Sequence, residues 1–383
     1  MKHILNTNRI KYFFYGVCVF CYALLQSQFS NIIPKFSQII QIIMIFSLII
    51  MSLISFNKNT SVNVKVLCKI LFIICLFIWI FFSGQKEKEI ILILLAMILC
   101  SDLNYKKVLE TYSISVFVSL FIVILASFMH LLSNNIDALG RYSLGFKFTT
   151  FSANLFFSAV IAYVSSKETK ITLTSLLMIL FVNVFLYLKT NTSAVFFEII
   201  LFLIGYLFIV RKKIKNNLTL KKIIPMFPII LSLFTISFQI YYNNNSSIFL
   251  DKIDLLLSNR LYLGKKAFSL YDITLFGQPV EWSHKANGSY FYVDSSYINV
   301  LFSYGLVTLS VVCLVFKKML RCCLDSNDIL TAWAMIIFLI HAITDPQMLT
   351  FRNNPFIILY IGMCIKNIKD KKEEVLKWKN MII

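Results

Sequence analysis

Charge is scarce in this sequence: Asp, Glu, Lys and Arg together make up 14% of its 383 residues, against 58% hydrophobic residues and a mean hydropathy of +0.78. That scarcity excludes a soluble globular chain of this length, which needs a much larger polar fraction and whose apolar runs seldom reach the roughly 20 residues that span a bilayer as a helix. Acidic residues are the scarcer sign, 18 against 37 basic ones, for a formal charge of +19. In a soluble protein such an excess makes nucleic acid a candidate partner. In a membrane protein it bears first on topology, because Lys and Arg accumulate on the cytoplasmic side, and nucleic acid is not expected here.

Other absences narrow the chemistry. The nine cysteines form no ligand-spaced group with histidine, so no metal site is expected. Cys322 and Cys323, adjacent beside Arg321, suit palmitoylation or redox chemistry as well as the plainer role of small buried or cytosolic thiols. There is no Walker loop, no GxSxG elbow and no HExxH. No repeat with a period of twenty to fifty residues and no low-complexity tract occurs. The first apolar run is not followed by a small-residue cleavage site, so it is expected as a retained helix.

What the chain has instead is twelve apolar spans, near 12–27, 36–56, 64–82, 89–101, 110–132, 148–165, 171–188, 194–210, 223–240, 294–316, 329–345 and 354–366. The fourth is short. With both termini cytoplasmic, the inside segments include "RKKIKNNLTLKK", "KKMLRCC" and the tail "KNIKDKKEEVLKWK", which places most of the basic residues inside. The expected fold is all-α and polytopic, with transmembrane helices one to nine over 1–240, an extracytoplasmic loop over 241–293, and helices ten to twelve plus a basic cytoplasmic tail over 294–383. Two outside connections are long, His130 to Lys147 and Tyr241 to Val293. In the second, Ile253, Leu256, Leu257, Leu261 and Phe268 recur at roughly helical spacing among Lys252, Arg260 and Lys265, the pattern of one amphipathic helix lying on the outer leaflet.

This topology leaves Arg141, Arg260 and Arg352 outside, against the positive-inside bias, each beside a helix end. A guanidinium presents a planar fork of donors suited to phosphate oxygens, so three at headgroup level point to a phosphate-bearing lipid, the alternative being ordinary snorkelling to headgroups. At the same level Asp294 opens the tenth span, where it is a candidate catalytic acid or base and equally a helix N-cap. His341 and Asp345, four apart on the outer end of the eleventh span, share a helical face. A carboxylate there fixes the tautomer of an imidazole acting as general base, although a structural pair has the same spacing. Glu198 lies about a turn inside the eighth span, where an ionisable group is a functional candidate, with Lys189 or a neighbouring hydroxyl as structural partners. Asn154, Asn183 and Gln239 suit interhelical hydrogen bonds. His284, Trp282 and Tyr290 stand in the long loop, where the aromatic rings suit stacking on sugar.

In motif order the chain resembles the Wzy-type polysaccharide polymerases of bacterial capsule and O-antigen pathways. The resemblance covers roughly Gly140 to Leu359 and rests on "RYSLGF" before a span, "LLSNRLYLGKKAFSLYDITLFGQ" in a long outer loop, "YVDSSYINVLFSYGL", and a late "HAITDP" followed by "NNPFIIL". The His-Pro-Asn group that often follows the Gly-Phe in that family is replaced by "GFKFTTFSAN", and "KTNTSAVFF" lacks an arginine often found there. The resemblance implies a GT-C-like membrane glycosyltransferase that takes an undecaprenyl-diphosphate-linked oligosaccharide as donor, works on the outer face, and needs no cofactor or metal. It implies diphosphate binding by Arg141, Arg260 and Arg352, with His341, Asp345 and Asp294 as catalytic residues. Further partners implied are the bilayer, a repeat-unit flippase and a chain-length regulator. An O-antigen ligase shares architecture and donor and differs in acceptor. A transporter or lipid flippase would show charged or broken helices near mid-membrane.

Overall fold

Helices make up most of what the computed structural model describes, which is residues 2–56, 88–137, 139–167, 171–212, 218–245, 247–282 and 291–365. Among these, β pairing is limited to two isolated bridges, Ser27 with Phe146 and Ile136 with Tyr142. The helices are α1 (Lys2–Leu24), α2 (Phe29–Ile32), α3 (Phe36–Phe56), α4 (Lys88–Leu99), α5 (Tyr105–Phe128), α6 (Phe151–Lys167), α7 (Leu173–Thr190), α8 (Ser193–Lys212), α9 (Leu218–Ile223), α10 (Phe227–Asn244), α11 (Ile248–Leu256), α12 (Arg260–Leu270), α13 (Ser296–Asp325) and α14 (Ile329–His341). A 3-10 turn, Ile357–Leu359, leads into a last helical stretch.

Among the described residues six helices are long and apolar enough to cross a membrane: Phe36–Ser55, Tyr105–Phe128, Leu173–Thr190, Ser193–Val210, Lys221–Asn244 and Ser296–Asp325. They mark the chain as membrane-embedded. Glu89–Leu99 and Ile329–His341 are apolar but shorter. The 12 residues of α4 extend about 18 Å, well under the roughly 30 Å of a hydrocarbon core. The expected span at 64–82 and the basic tail lie outside the described residues, as do His284 and Tyr290.

Successive helices run up and down, so the loops gather at two ends. At one end, here the loop end, Gln28 donates its main-chain N–H to Gly145, Tyr142 to Lys189, and Ser296 to Ala342. At the opposite end lie Lys11, Lys106 and Lys167, paired with Asp102, Asp328 and Glu110. The most enclosed helix is α6, which packs against α5, α7, α8 and α14 and buries thirteen residues on all sides. Its small residues Ser152, Ala153, Ser158, Ala159, Ala162 and Ser165 let neighbouring backbones approach, as membrane helix contacts require.

Helix α13 is broken. Gly305 sits at φ 83°, ψ 172°, which frees the backbone groups on either side of it. The chain segment Thr274–Gln278 fills the break: Leu306 and Val307 donate to the Thr274 and Leu275 carbonyls at 3.0 Å each, and Gln278 donates to Phe302 at 3.3 Å. The approach demands glycine on both sides. A Cβ on Gly277 would lie 2.4 Å from the Ser303 carbonyl oxygen, and one on Gly305 would lie 2.3 Å from the Gly277 nitrogen.

The expected single amphipathic helix of the long loop is two helices. Ser258 and Asn259, both at positive φ near 60°, turn the chain between α11 and α12. The buried Asp254 fixes that turn, accepting from the Leu261 N–H at 2.8 Å and from the Tyr242 hydroxyl at 3.2 Å. Gln239 of α10 donates to the Leu261 carbonyl at 2.9 Å. The turn changes which face is covered: Leu261 is buried, Ile253 and Leu257 pack beside it, and Phe268 meets Phe302, while Leu256 points outward. A helical wheel drawn through the turn mixes these two sets.

Candidate active site

The loop end collects ionisable side chains from five segments. His341 is the last residue of α14 and 4% exposed. Its Nδ1 lies 2.7 Å from Glu198 Oε2, on the second turn of α8, and its ring packs against Phe157 of α6 with centroids 4.5 Å apart. The expected His341–Asp345 hydrogen bond is corrected: Nε2 and Oδ1 are 3.8 Å apart, beyond hydrogen-bond reach. The cause is local. Pro346 disfavours α geometry at Asp345, and Ile343 and Thr344 donate three residues back, so the helix tightens and stops before regular i,i+4 spacing is reached.

Asp345 is held by other groups. Asn154, in the first turn of α6, donates to Oδ2 at 2.6 Å, and Ser296 donates through its hydroxyl to the Asp345 carbonyl at 2.5 Å. Asp345 Oδ1 is buried and has no hydrogen-bond partner among the described residues. It therefore faces His341 Nε2 with its bonding capacity unused.

Asp294 does not cap α13. Ser295 occupies the N-cap position, and Asp294 accepts from Arg260 Nε at 3.3 Å. Arg260 opens α12, and its charge acts on both His341 and Asp345. His341, Asp345, Asp294, Arg260, Glu198 and Asn154 thus form one group.

The other two arginines stand apart, since no hydrogen bond or ion pair among the described residues joins either to this group. Arg141 donates through Nε to Asp137 Oδ2 at 2.7 Å within its own loop. Asp137 also accepts from the main-chain N–H groups of Leu139 and Arg141 at 3.0 Å and from Thr149 at 3.2 Å. Partial burial pushes its carboxyl pKa up, but these bonds to the charged form outweigh burial and hold it below the usual aspartate value. Arg352 pairs with Glu89 of α4 at 2.8 Å and lies over the Tyr22 and Phe151 rings at 5.8 and 5.6 Å. Nearby Lys147 donates to the Leu25 carbonyl at 2.7 Å, and burial, then the charge of Arg352, push its pKa down.

The Glu198–His341 contact joins residues 143 positions apart. Its only trace in the sequence is a lone acid inside an apolar span. Asn154, the last residue of "GFKFTTFSAN", meets Asp345. Of the loop aromatics, Trp282 is packed among Tyr271, Phe291 and Tyr292. Comparison with family models, with curated proteins and with solved structures found no match.

Proposed function

We propose that the chain is a membrane glycosyltransferase of the polysaccharide-polymerase type, joining repeat units carried on undecaprenyl diphosphate at the outer face of the cytoplasmic membrane. The observation that carries this reading is the buried Glu198–His341 pair facing the unpartnered Asp345 Oδ1, with Arg260 beside it. If Nδ1–H donates to Glu198, Nε2 is left as the proton acceptor. A substrate hydroxyl placed beside the 3.8 Å gap between Nε2 and Oδ1 donates its one proton to Nε2 at about 2.8 Å.

The chemistry then balances. The hydroxyl oxygen attacks the anomeric carbon of the donor sugar, the bond from that carbon to the diphosphate oxygen breaks, and its electron pair leaves with the lipid diphosphate. The hydroxyl proton passes to His341 Nε2, and Glu198 stabilises the imidazolium. Among the described residues Arg260 bonds the protein only through Nε, so its terminal amino groups suit the departing diphosphate. Arg141 also pairs with one carboxylate through Nε, so the diphosphate role is assigned to Arg260 for its place, as the arginine whose charge acts on His341 and Asp345. The motif order that resembles Wzy-type polymerases supports the same reading, and the absence of any metal or cofactor from the scheme follows from it.

The break in α13 favours a second reading, a lipid or polysaccharide transporter, since discontinuous helices line transporter sites. Yet here the freed backbone groups are bonded by Thr274–Gln278 rather than turned toward a pathway, which supports the enzyme. An O-antigen ligase would share the donor chemistry and differ only in acceptor.

The test uses purified variants with lipid-linked repeat units. His341→Ala should retain undecaprenyl diphosphate binding while chain growth falls about a hundredfold to ten-thousandfold. Arg260→Lys, which keeps charge but loses the fork, should lower the rate about a hundredfold to a thousandfold. Wild-type ladders from His341→Ala would remove the base, and transfer to a lipid A core but not to repeat units would assign a ligase.

A further inference from the structure

Helix α11 is apolar on two opposite faces. Leu250, Ile253 and Leu257 turn inward onto α10 and α12. On the other side Ile248, Phe249, Leu255 and Leu256 are 77%, 71%, 70% and 85% exposed. At 100° per residue these four fall within one third of the helix circumference, with the exposed Lys252 at its centre. The charges Asp251 and Asp254 are confined to the remaining sector, so the helix suits an interface between lipid and water. It begins four residues after α10, a helix of membrane-spanning character, comes to its end at Asn244. The Ser258–Asn259 turn then delivers Arg260 four positions beyond Leu256.

The geometry points to α11 as a lane for the polyprenyl chain of the lipid-linked substrate, lying in the outer-leaflet interface with the chain against Phe249, Leu255 and Leu256. An apolar track followed four residues later by a guanidinium matches an amphiphile with an isoprenoid tail and an anionic head. Lys252 lays its methylene stem along the track and its ammonium toward the phosphates. This inference rests on the proposed role of Arg260 and adds where the tail runs. It also explains why a loop helix exposes four large side chains while its buried face is already complete.

The experiment places a benzophenone amino acid at Leu256 in the full-length protein in nanodiscs, with a second protein labelled at Phe181. That residue of α7 is 74% exposed and far from Arg260 in sequence. Radiolabelled undecaprenyl diphosphate is the probe. Leu256 should capture several-fold more label than Phe181, and the excess should vanish in Arg260→Ala. A double variant, Leu255→Ser with Leu256→Ser, touches exposed positions only. It should weaken undecaprenyl diphosphate binding about tenfold while leaving geranyl diphosphate, which has the same head and a short tail, unchanged. Equal capture at Leu256 and Phe181 would mean that α11 meets only bulk lipid and would overturn the lane. Arg260-dependent binding of undecaprenyl diphosphate without excess capture defeats the lane alone, whereas absence of any diphosphate binding defeats the proposed function as well.

Discussion

The two ends of the bundle handle buried charge in opposite ways. At the opposite end the Lys106 ammonium meets Asp328 at 2.6 Å, the Ser165 carbonyl at 2.8 Å and the Thr331 hydroxyl at 2.9 Å. Those three contacts use all three of its donors. Asp328 in turn takes the Tyr105 hydroxyl at 2.7 Å and caps α14 through the Thr331 N–H. At the loop end His341 and Asp345 stand 3.8 Å apart and, among the described residues, one Asp345 oxygen is unpartnered and Arg260 donates through Nε alone. Buried ions are therefore not a mark of function by themselves. Unused bonding capacity gathered around one imidazole is the better one: isolated unsatisfied atoms such as Glu89 Oε2 also occur, but a saturated network can only hold the chain.

Substitution at both ends separates the two kinds of network. Glu198→Gln should lower polymer formation about a hundredfold or more, since it removes the charge that supports the imidazolium, with thermal unfolding in detergent close to that of the parent. Lys106→Met should do the reverse. It strands Asp328 and should cost about 3–5 kcal/mol of stability, while the fraction that remains folded keeps its rate per molecule. A folded, stable Lys106→Met protein that makes no polymer would mean that the opposite end is functional and that saturation is a poor guide.

A smaller effect is expected between the ends, at the break in α13. Gly305→Ala and Gly277→Ala each put a methyl group into backbone atoms at 2.3 to 2.4 Å and force an L-residue to positive φ. Each should lower stability by roughly 1–3 kcal/mol, read as the melting temperature of the purified protein. The same change at Gly140, also at positive φ but with nothing within 4 Å, should cost less. Equal losses at all three positions would show that the dihedral, and not the fit of Thr274–Gln278 into the break, sets the penalty.

Hydropathy made the helices legible, because a bilayer demands long apolar runs whatever the partner helix is. The break at Gly305 was not legible: "FSYGLV" reads as continuous apolar helix, and what stabilises the interruption is a segment some thirty residues earlier. The division of α11 from α12 at Ser258–Asn259 was hidden for a related reason, since the turn depends on a buried Asp254 whose partners come from two helices. Within the site, His341, Asp345, Asp294 and Arg260 were readable as outer-end ionisable groups, yet their pairing was not. Sequence spacing assigned His341 to Asp345, four residues away, and the structure gives it to Glu198 on another helix. Arg141 and Arg352 carried the same sequence signal as Arg260 and differ only in the carboxylates that the fold brings to them.

The smallest effect should appear in the loop that holds Arg141, where the carboxylate Asp137 is saturated. Asp137 there accepts from the N–H groups of Leu139 and Arg141 and from the Arg141 guanidinium, and its folded pKa lies below the usual value. A carboxylate with a depressed folded pKa stabilises the loop fully above the unfolded value of about 3.9, and that contribution is lost as pH falls through the lower folded value. Hydrogen exchange at the Leu139 and Arg141 amides, corrected for intrinsic rates, should therefore be protected evenly from neutral pH to about pH 5 and lose protection only below about pH 4. Asp137→Asn should abolish that acid step while lowering neutral protection slightly, because the partly exposed pair contributes little by itself. Polymer formation at neutral pH should stay within about twofold of the parent, since the loop keeps its bridge between Ile136 and Tyr142 and surface changes of this kind are small. A large loss of polymer from Asp137→Asn, with folding intact, would instead return Arg141 to the substrate and make the loop pair part of the site.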